Sequence, residues 1–366
     1  MSQIHPLARR HLHQIQNKIS GMPIQHGYLD PVKRLDSNVN YYTDNPYQEY
    51  PSEKNERLSQ SYIDFIKYEF HAKGVEAKPL PFLTSDHLLF TSSSQAIDLI
   101  IRTFCEPGID KVCVLSPTFP LYAYCALNHN APLVDIPLLG ENYDRLDLER
   151  IKKENPKVVF IPSPNNPVGS LPSSHEILSL LKNPDTIVVL DEAYIEYSDS
   201  PSHIEYLDRF PNLAILRSFS KIWGLAGIRC GAVFGCPSMI YTLEKMLTPY
   251  HFPQHTQELL EDRMNYASIV FTIRSAAKED RIKLIGHLEN LSFTEKVYKT
   301  EANFILVKFA DADLIFKELL KRGFLVKNTG HQVSNTLRIS LGTPTDTENL
   351  IVALQEINTL KRAICG

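Results

Sequence analysis

The chain has 366 residues, which exceeds the roughly 250–300 residues at which a single hydrophobic core usually divides, so we expect two domains. Hydrophobic residues make up 43% of the chain and charged residues 22%, and the net charge is −4 with neutral histidines, as in ordinary globular proteins. The chain has no basic block, no apolar leader and no run of about 18 apolar residues. These features predict a cytoplasmic protein with no nucleic-acid partner and no membrane partner, and they leave small anionic ligands possible.

The cysteines form no CxxC pair and have no metal-type spacing with histidine. We therefore predict free thiols, as expected in a reducing compartment, and no metal site. The six are Cys105, Cys113, Cys125, Cys230, Cys236 and Cys365.

In chain order, the first 50 residues are polar and rich in Asn, Tyr and Pro, which predicts an N-terminal arm. The next segment, "SEKNERLSQSYIDFIKYEFHAKG" (52–74), has apolar residues at helical spacing, and Ser52 is the predicted N-cap.

Five short apolar runs follow and are predicted to be buried strands, at residues 111–117, 157–164, 186–194, 213–220 and 231–236. Helical patterns lie between some of them, at residues 93–105 and 173–183. Apolar strands that alternate with helices indicate an α/β fold with a mainly parallel sheet between helices.

After about residue 250 the pattern changes to long helical stretches. Strand-like runs at 302–309 and 336–342 enclose a helix at 312–323, and a last helix starts at Thr345. We therefore predict a larger domain over residues 51–250 and a smaller α+β domain over 251–366, with the arm (1–50) packed against the smaller domain and a partner subunit.

Polar side chains gather at the predicted strand ends, where ligands bind in open α/β sheets. Each group alone has an ordinary structural explanation as a helix N-cap, a turn or a helix start. The four groups are Ser92, Ser93 and Ser94; Asn165 and Asn166; Asp191 and Tyr194; and Ser218, Ser220 and Lys221.

Together the four groups match the needs of pyridoxal phosphate. A lysine amine bonds covalently to the cofactor aldehyde, and a carboxylate keeps the pyridine nitrogen protonated so that the ring accepts electrons. Asparagine and tyrosine bond the phenolate oxygen, while hydroxyls, a guanidinium and a helix N-terminus bind the phosphate. The sequence therefore predicts a pyridoxal-phosphate enzyme with Lys221 as the cofactor lysine.

Several segments, in this order, make the chain resemble the fold-type-I, class-II pyridoxal-phosphate aminotransferases, and especially the histidinol-phosphate aminotransferases. They are "SPTFPLY", "SPNNPVG", "VVLDEAYIEY", "LAILRSFSKIWGLAGIRCG", "EANFILVKF" and "TLRISLGT". The resemblance runs from about residue 30 to 360. It implies glutamate as amino donor, imidazole acetol phosphate as acceptor, a ping-pong reaction in histidine biosynthesis, and a homodimer with shared active sites.

The resemblance also implies a role for each site residue. Lys221 would carry the cofactor and move the proton, Asp191 would pair with the pyridine nitrogen, and Asn166 and Tyr194 would bond the phenolate oxygen. The remaining cofactor contacts would be ring stacking by Phe119 and phosphate binding by Ser93, Ser94, Ser218, Ser220, Arg229 and Tyr50, the last from the neighbouring subunit. The substrate contacts would be Arg338, Lys327 and Asn38.

Two of the departures from the family pattern that bear on the substrate concern charged positions. Val39 replaces an acidic residue of an Asn-x-Asn segment, and Lys327 stands where relatives carry an arginine. Three activities stay open: the histidinol-phosphate reaction, amino transfer to aromatic or other substrates, and decarboxylation of O-phosphothreonine. A regulator of the same fold is disfavoured because the resemblance leaves no room for a DNA-binding domain.

Overall fold

The computed structural model describes residues 3–14, 38–43, 45–52, 54–73 and 80–365, with side chains up to residue 360. The strands are β1 (Leu88–Thr91), β2 (Val112–Val114), β3 (Leu133–Asp135), β4 (Val158–Pro162), β5 (Ile187–Asp191), β6 (Leu213–Ser218), β7 (Gly231–Gly235), β8 (Thr294–Val297), β9 (Phe304–Phe309), β10 (Lys327–Asn328) and β11 (Thr336–Ser340). The helices are α1 (Glu56–Ala72), α2 (Ser93–Phe104), α3 (Leu121–Asn128), α4 (Leu148–Glu154), α5 (Ser174–Leu181), α6 (Pro237–Lys245), α7 (Gln254–Met264), α8 (Ile269–Glu289), α9 (Ala312–Lys321) and α10 (Pro344–Cys365).

The larger sheet has seven strands in the order β1, β7, β6, β5, β4, β2, β3. Strands β2 to β6 are mutually parallel, which agrees with the predicted mainly parallel α/β fold. The run at 231–236 was predicted as one more strand of this sheet, with no direction of its own. It forms β7, which is antiparallel to both of its neighbours. A strand that is covered on both faces is continuously apolar whether it runs parallel or antiparallel to its neighbours. The apolar pattern therefore does not predict the strand direction.

Helices cover both faces of this sheet because successive strand residues point to opposite sides. Val188 and Leu190 of β5 belong to the core shared with α1 and α5. Ile187 and Val189 belong to a second core shared with α2, α3 and α6. All four side chains are fully buried, so the centre of the sheet is enclosed and only the strand ends are open to ligands.

The predicted N-cap of α1 is wrong. Asn55, not Ser52, caps the helix, because its Oδ1 accepts a hydrogen bond from the backbone N–H of Leu58 at 3.0 Å. The helix begins at Glu56, so Ser52 lies too far upstream to reach the free amides of the first turn.

The smaller sheet is antiparallel, in the order β10, β11, β9, β8, and its core contains Leu284 and Leu288 of α8 and Ile315 of α9. β8 and β10 were not predicted from the sequence.

The boundary between the two domains differs from the predicted one. Leu260 of α7 and Val270 of α8 belong to the core of the larger sheet, although both follow residue 250. We therefore propose that the boundary between the two domains lies within α8 rather than at residue 250.

The N-terminal segment packs differently from the prediction. Among residues 3–14, Ala8 and Leu12 are buried against the α2 side of the larger sheet, not against the smaller sheet. The backbone N–H of Arg9 donates to the carbonyl of Thr103 at the end of α2, at 3.0 Å. Residues 15–37 lie outside the described part of the chain, so the packing of the rest of the arm stays a prediction.

Five of the six cysteines are buried free thiols, as predicted, and the side chain of Cys365 lies outside the described residues. No helix within the described ranges is long and apolar enough to cross a membrane.

Candidate functional site

A cavity of about 720 Å³ lies at the carboxyl ends of the parallel strands and extends to the smaller sheet. The structure brings together at this cavity twelve of the fourteen predicted site residues. They are Ser93, Ser94, Phe119, Asn166, Asp191, Tyr194, Ser218, Ser220, Lys221, Arg229, Lys327 and Arg338.

Asp191, at the end of β5, supplies a buried carboxylate. Its Oδ2 accepts a hydrogen bond from the hydroxyl of Tyr122 at 2.7 Å, and its Oδ1 accepts one from the backbone N–H of Ala193 at 3.1 Å. Burial raises the pKa of Asp191, although these hydrogen bonds and the charge of Lys221 oppose the rise. Within the described part of the chain, no cation forms an ion pair with this carboxylate, so it can accept a cationic ligand group.

Lys221 lies in the turn that follows β6. Its Nζ is 5.1 Å from the centre of the Tyr194 ring, and that ring packs edge-on against Phe304 with ring centres 5.1 Å apart. Gly224 closes the turn by donating its N–H to the carbonyl of Lys221 at 2.9 Å, with a φ of +70° that favours glycine. The lysine amine therefore faces the cavity beside a tyrosine.

Asn166 follows β4 and is bound by Arg338 of β11. The guanidinium Nη1 donates to Asn166 Oδ1, and the guanidinium carbon lies 5.1 Å from the centre of the Phe304 ring. The bond to Arg338 uses the acceptor Oδ1, which leaves the amide nitrogen of Asn166 to donate to a ligand. Asn165 has a structural role instead, since its side chain bonds the backbone of Pro117 and Val168.

Two cations face the cavity from the smaller sheet. Lys327 of β10 and Arg338 of β11 are direct partners in an antiparallel pair, so their side chains share one face of the sheet. Neither forms an ion pair with a carboxylate among the residues that the structure describes. Like charges directly opposite one another destabilise a strand pair, and an anionic ligand would relieve this repulsion.

The opposite end of the cavity provides anion-binding groups. The N-cap of α2 is Ser92, and the first-turn amides of Ser93 and Ser94 have no acceptor within the helix. The hydroxyl of Ser218 accepts the N–H of Ser220 at 3.2 Å, which leaves its proton free to donate. Arg229 is exposed, and its guanidinium bonds only a backbone carbonyl, that of Ala226 at 3.1 Å, among the described residues.

Two predicted site residues do not line this cavity within the single chain. Tyr50 is exposed and stacks on Tyr250 with ring centres 4.4 Å apart. Asn38 is exposed, with a φ of +54°.

Several residues at the site were not predicted from the sequence, and four of them are polar or make direct contacts with predicted site residues. Tyr122 binds Asp191, and Phe304 lies under both Tyr194 and Arg338. His331 and Gln332, in the loop between β10 and β11, line the cavity beside the two cations. Tyr122 and Phe304 lie in apolar helix and strand patterns that predict only burial, so no sequence signal separated them from core residues.

The chain is similar in sequence to known proteins over most of its length. Residues 41–354 match the family described as aminotransferase class I and II. The histidinol-phosphate aminotransferase of Parabacteroides distasonis is 36% identical over 88% of this chain and 90% of its own length, and that of Flavobacterium psychrophilum is 32% identical over 97% and 99%.

The fold also matches a solved structure. The histidinol-phosphate aminotransferase of Sinorhizobium meliloti, in complex with pyridoxal 5'-phosphate, superposes with a TM-score of 0.72 at 21% identity, over 86% of this chain and 84% of that one. The chain therefore belongs to the class I and II aminotransferase family, within the group of the histidinol-phosphate aminotransferases, and is an aminotransferase.

Proposed function

We propose that this aminotransferase uses pyridoxal 5'-phosphate to exchange an amino group between glutamate and imidazole acetol phosphate, with histidinol phosphate as the other amino compound. The names of relatives that match most of the chain support this substrate pair. The observation that carries the proposal is the pairing of Lys327 with Arg338 on the wall of the cavity that contains Lys221 and Asp191. Two adjacent cations suit a phosphate dianion better than a single carboxylate.

The side chains fit the cofactor at both of its ends. The buried Asp191 carboxylate has hydrogen bonds but no ion-pair partner among the described residues, which suits a protonated ring nitrogen. The first-turn amides of α2, the Ser218 and Ser220 hydroxyls and Arg229 form a separate anion-binding end that suits the cofactor phosphate.

When bound, pyridoxal phosphate supplies a ring that accepts the electrons left when a proton departs from the substrate Cα. Lys221 would hold the cofactor covalently through Nζ, and the same nitrogen would take and return the proton at Cα. Asp191 would hold the proton on the ring nitrogen, and Phe119 would stack on the ring. Asn166 and Tyr194 would donate to the phenolate oxygen.

Arg338 would bind the carboxylate of glutamate and, in the other half-reaction, the distal phosphate. Its hydrogen bond to Asn166 and its position over Phe304 hold the guanidinium at the junction of the two sheets. Lys327 would add a second charge for the phosphate. As a lysine it contributes a point charge without the planar fork of arginine.

The proposal extends to a cytoplasmic homodimer. Tyr50 lies outside the cavity of its own chain, and in a dimer it would reach the cofactor phosphate of the partner subunit. Asn38 would belong to the substrate entrance, next to Val39.

The test follows the absorbance of the bound cofactor in the purified protein. Histidinol phosphate, glutamate, phenylalanine and O-phosphothreonine are added separately without an oxo acceptor. We expect histidinol phosphate and glutamate to convert the cofactor to its amino form, with phenylalanine much slower. Faster conversion by phenylalanine would refute the phosphate assignment and leave amino transfer intact, and release of CO₂ from O-phosphothreonine would indicate the decarboxylase.

A matched pair of variants tests the phosphate contact. Lys327→Met should slow the reaction with histidinol phosphate about fivefold, since one such ion pair is worth about 1 kcal/mol, and should leave the glutamate reaction nearly unchanged. Lys317→Met removes an exposed lysine of α9 that does not line the cavity, and should change neither reaction.

A further inference from the structure

Behind the site lies a cluster of five buried charged side chains, which we call the charge cluster: Glu69, Lys73, Glu192, Glu196 and Arg217. Each side chain is at most 4% exposed. Arg217 Nη1 donates hydrogen bonds to Glu196 Oε1 at 3.0 Å and Glu69 Oε2 at 3.2 Å, and Arg217 Nε lies 3.1 Å from Glu192 Oε2. Lys73 Nζ lies 2.9 Å from Glu69 Oε1.

The charge cluster is adjacent in sequence to the predicted cofactor residues. Glu192 follows Asp191 at the end of β5, and Arg217 precedes Ser218 at the end of β6. Successive side chains of a strand point to opposite faces, so Asp191 and Ser218 face the cavity while Glu192 and Arg217 meet behind it. The ion pair between Glu192 and Arg217 therefore joins the two strand ends from the far side.

Hydrogen bonds fix both the carboxylate and the backbone of Glu192. Its Oε2 accepts a hydrogen bond from the hydroxyl of Ser202 at 2.6 Å, and its Oε1 accepts one from the backbone N–H of His203 at 3.0 Å. Its own backbone N–H donates to the carbonyl of Leu216 in β6 at 2.9 Å. A shift of Arg217 would thus be transmitted to the strand end that carries Asp191.

Stability alone does not explain five buried charges. Replacement of buried ion pairs by well-packed apolar groups is often neutral or stabilising, because desolvation offsets the electrostatic attraction. The cluster contains three carboxylates and two cations, and His203 Nδ1, 3.7 Å from Glu192 Oε1, adds a further positive charge when it is protonated. With His203 neutral, the charges balance when one carboxyl keeps its proton.

The proton belongs on Glu196. Burial raises the pKa of Glu196 to about 7, with repulsion from Glu69 adding to the rise and Arg217 opposing it. Burial also acts on Glu192, but attraction by Arg217 and the bonds from His203 and Ser202 outweigh it, so the pKa of Glu192 is lowered. Near pH 6.5, Glu192 is therefore the charged partner of Arg217, and Glu196 is protonated in the larger part of the molecules.

We propose that Arg217 and Glu192 are positioning residues that hold Asp191 in register with Ser218 and Lys221, so that both ends of the cofactor bind at once. The inference rests on the proposed function only in taking pyridoxal phosphate as the cofactor. It applies to any amino donor that the wild-type enzyme accepts.

Glu192→Gln and Glu196→Gln are the matched variants, since both make the same isosteric change to a fully buried partner of Arg217. At pH 6.5, Glu192→Gln should raise the dissociation constant of pyridoxal phosphate about tenfold and lower kcat about tenfold, with KM for the donor within twofold of wild type. Glu196→Gln should keep all three values within about twofold.

The melting temperature of each apoprotein separates positioning from stability. If Glu192→Gln lowers the melting temperature while the folded protein retains wild-type cofactor affinity and kcat, the proposal is overturned. Equal losses in both variants would also overturn it.

Ser202→Ala provides a milder test if Glu192→Gln does not fold. It removes one hydrogen bond to Glu192, so cofactor affinity and kcat should fall in the same direction by a smaller factor; unchanged values would contradict the proposal. If the wild-type enzyme does not react with histidinol phosphate, the proposed substrate is refuted. The comparison of the variants with wild type remains valid, because it uses whichever amino donor the wild-type enzyme accepts best.

Discussion

Individual side chains at this site have properties set by contacts that are distant in sequence. Asp191 is buried, and one of its two hydrogen bonds comes from Tyr122, 69 residues away. The residue types and their order predicted that Asp191 would face a cofactor. They did not predict Tyr122, because a tyrosine in an apolar helix pattern has the same appearance whether its hydroxyl binds a carboxylate or not.

The raised pKa of Glu196 predicts a pH-dependent stability. In the folded protein its pKa is about 7, against an ordinary value of 4.5. Between these values the folded state keeps a proton that the unfolded chain has released, so this group makes the protein less stable as pH rises through the window. The free energy of unfolding of wild type relative to Glu196→Gln should fall by up to about 3 kcal/mol from pH 4.5 to 7 and then level off.

Denaturant unfolding of the two apoproteins at several pH values measures this difference. Glu289→Gln makes the same change at an exposed position of α8 and should show no such pH dependence relative to wild type. If the difference in unfolding free energy between wild type and Glu196→Gln is constant between pH 4.5 and 8, folding does not change the protonation of Glu196 and the prediction is wrong.

At the scale of elements, close contact between β7 and the start of α2 sets the position of the α2 amides that we propose bind the cofactor phosphate. A Cβ atom built on Gly231 would lie 2.4 Å from the carbonyl oxygen of Arg217 and 3.1 Å from the backbone nitrogen of Ser93. Both neighbours are backbone atoms, so neither can move away cheaply. The sequence shows the glycine, but the closeness follows only from the antiparallel placement of β7 between β1 and β6.

Gly231→Ala should therefore displace the N-terminus of α2 and weaken pyridoxal phosphate binding by about tenfold or more, a loss of at least about 1.4 kcal/mol. Titration of the apoprotein with the cofactor measures this effect. Gly286→Ala is the matched control, since nothing lies within 4 Å of the added Cβ and the helix should gain about 0.5–1 kcal/mol. Equal cofactor affinity in wild type and Gly231→Ala would mean that the α2 amides do not bind the phosphate.

At the scale of the whole molecule, the site exists only where the two sheets meet. Arg338 of the smaller sheet binds Asn166 after β4 of the larger one. A second contact joins them at Gly169, whose φ is +93° and whose carbonyl accepts the N–H of Glu301 at 2.8 Å. These two contacts help to hold Arg338 of the smaller sheet beside the strand ends of the larger one.

The proposed dimer predicts complementation between two defective subunits. Lys221→Ala removes the proposed cofactor lysine, and Tyr50→Ala removes the contact that one subunit would give to the other. In a heterodimer of the two variants, one site contains both an intact Lys221 and an intact Tyr50 from the partner. One of the two sites in each heterodimer is therefore intact, so the purified heterodimer should have about half of the wild-type activity.

Co-expression of the two variants with different affinity tags, followed by assay of the purified heterodimer at limiting pyridoxal phosphate, measures this recovery. Separately purified homodimers, assayed at the same concentration, give the baseline. Activity equal to the mean of the two homodimers would show that Tyr50 does not act across subunits.

The sequence by itself determined the α/β class, most of the strands and helices, and twelve of the residues that meet at the cavity. It could do so because buried strands have local apolar patterns, and because parallel strands bring their carboxyl ends to one edge. Only the tertiary structure decided the direction of β7, the pairing of Lys327 with Arg338, and the meeting of Glu192 with Arg217 behind the site. These features depend on strand register and on burial depth, which arise from contacts between distant segments and leave no periodic signal along the chain.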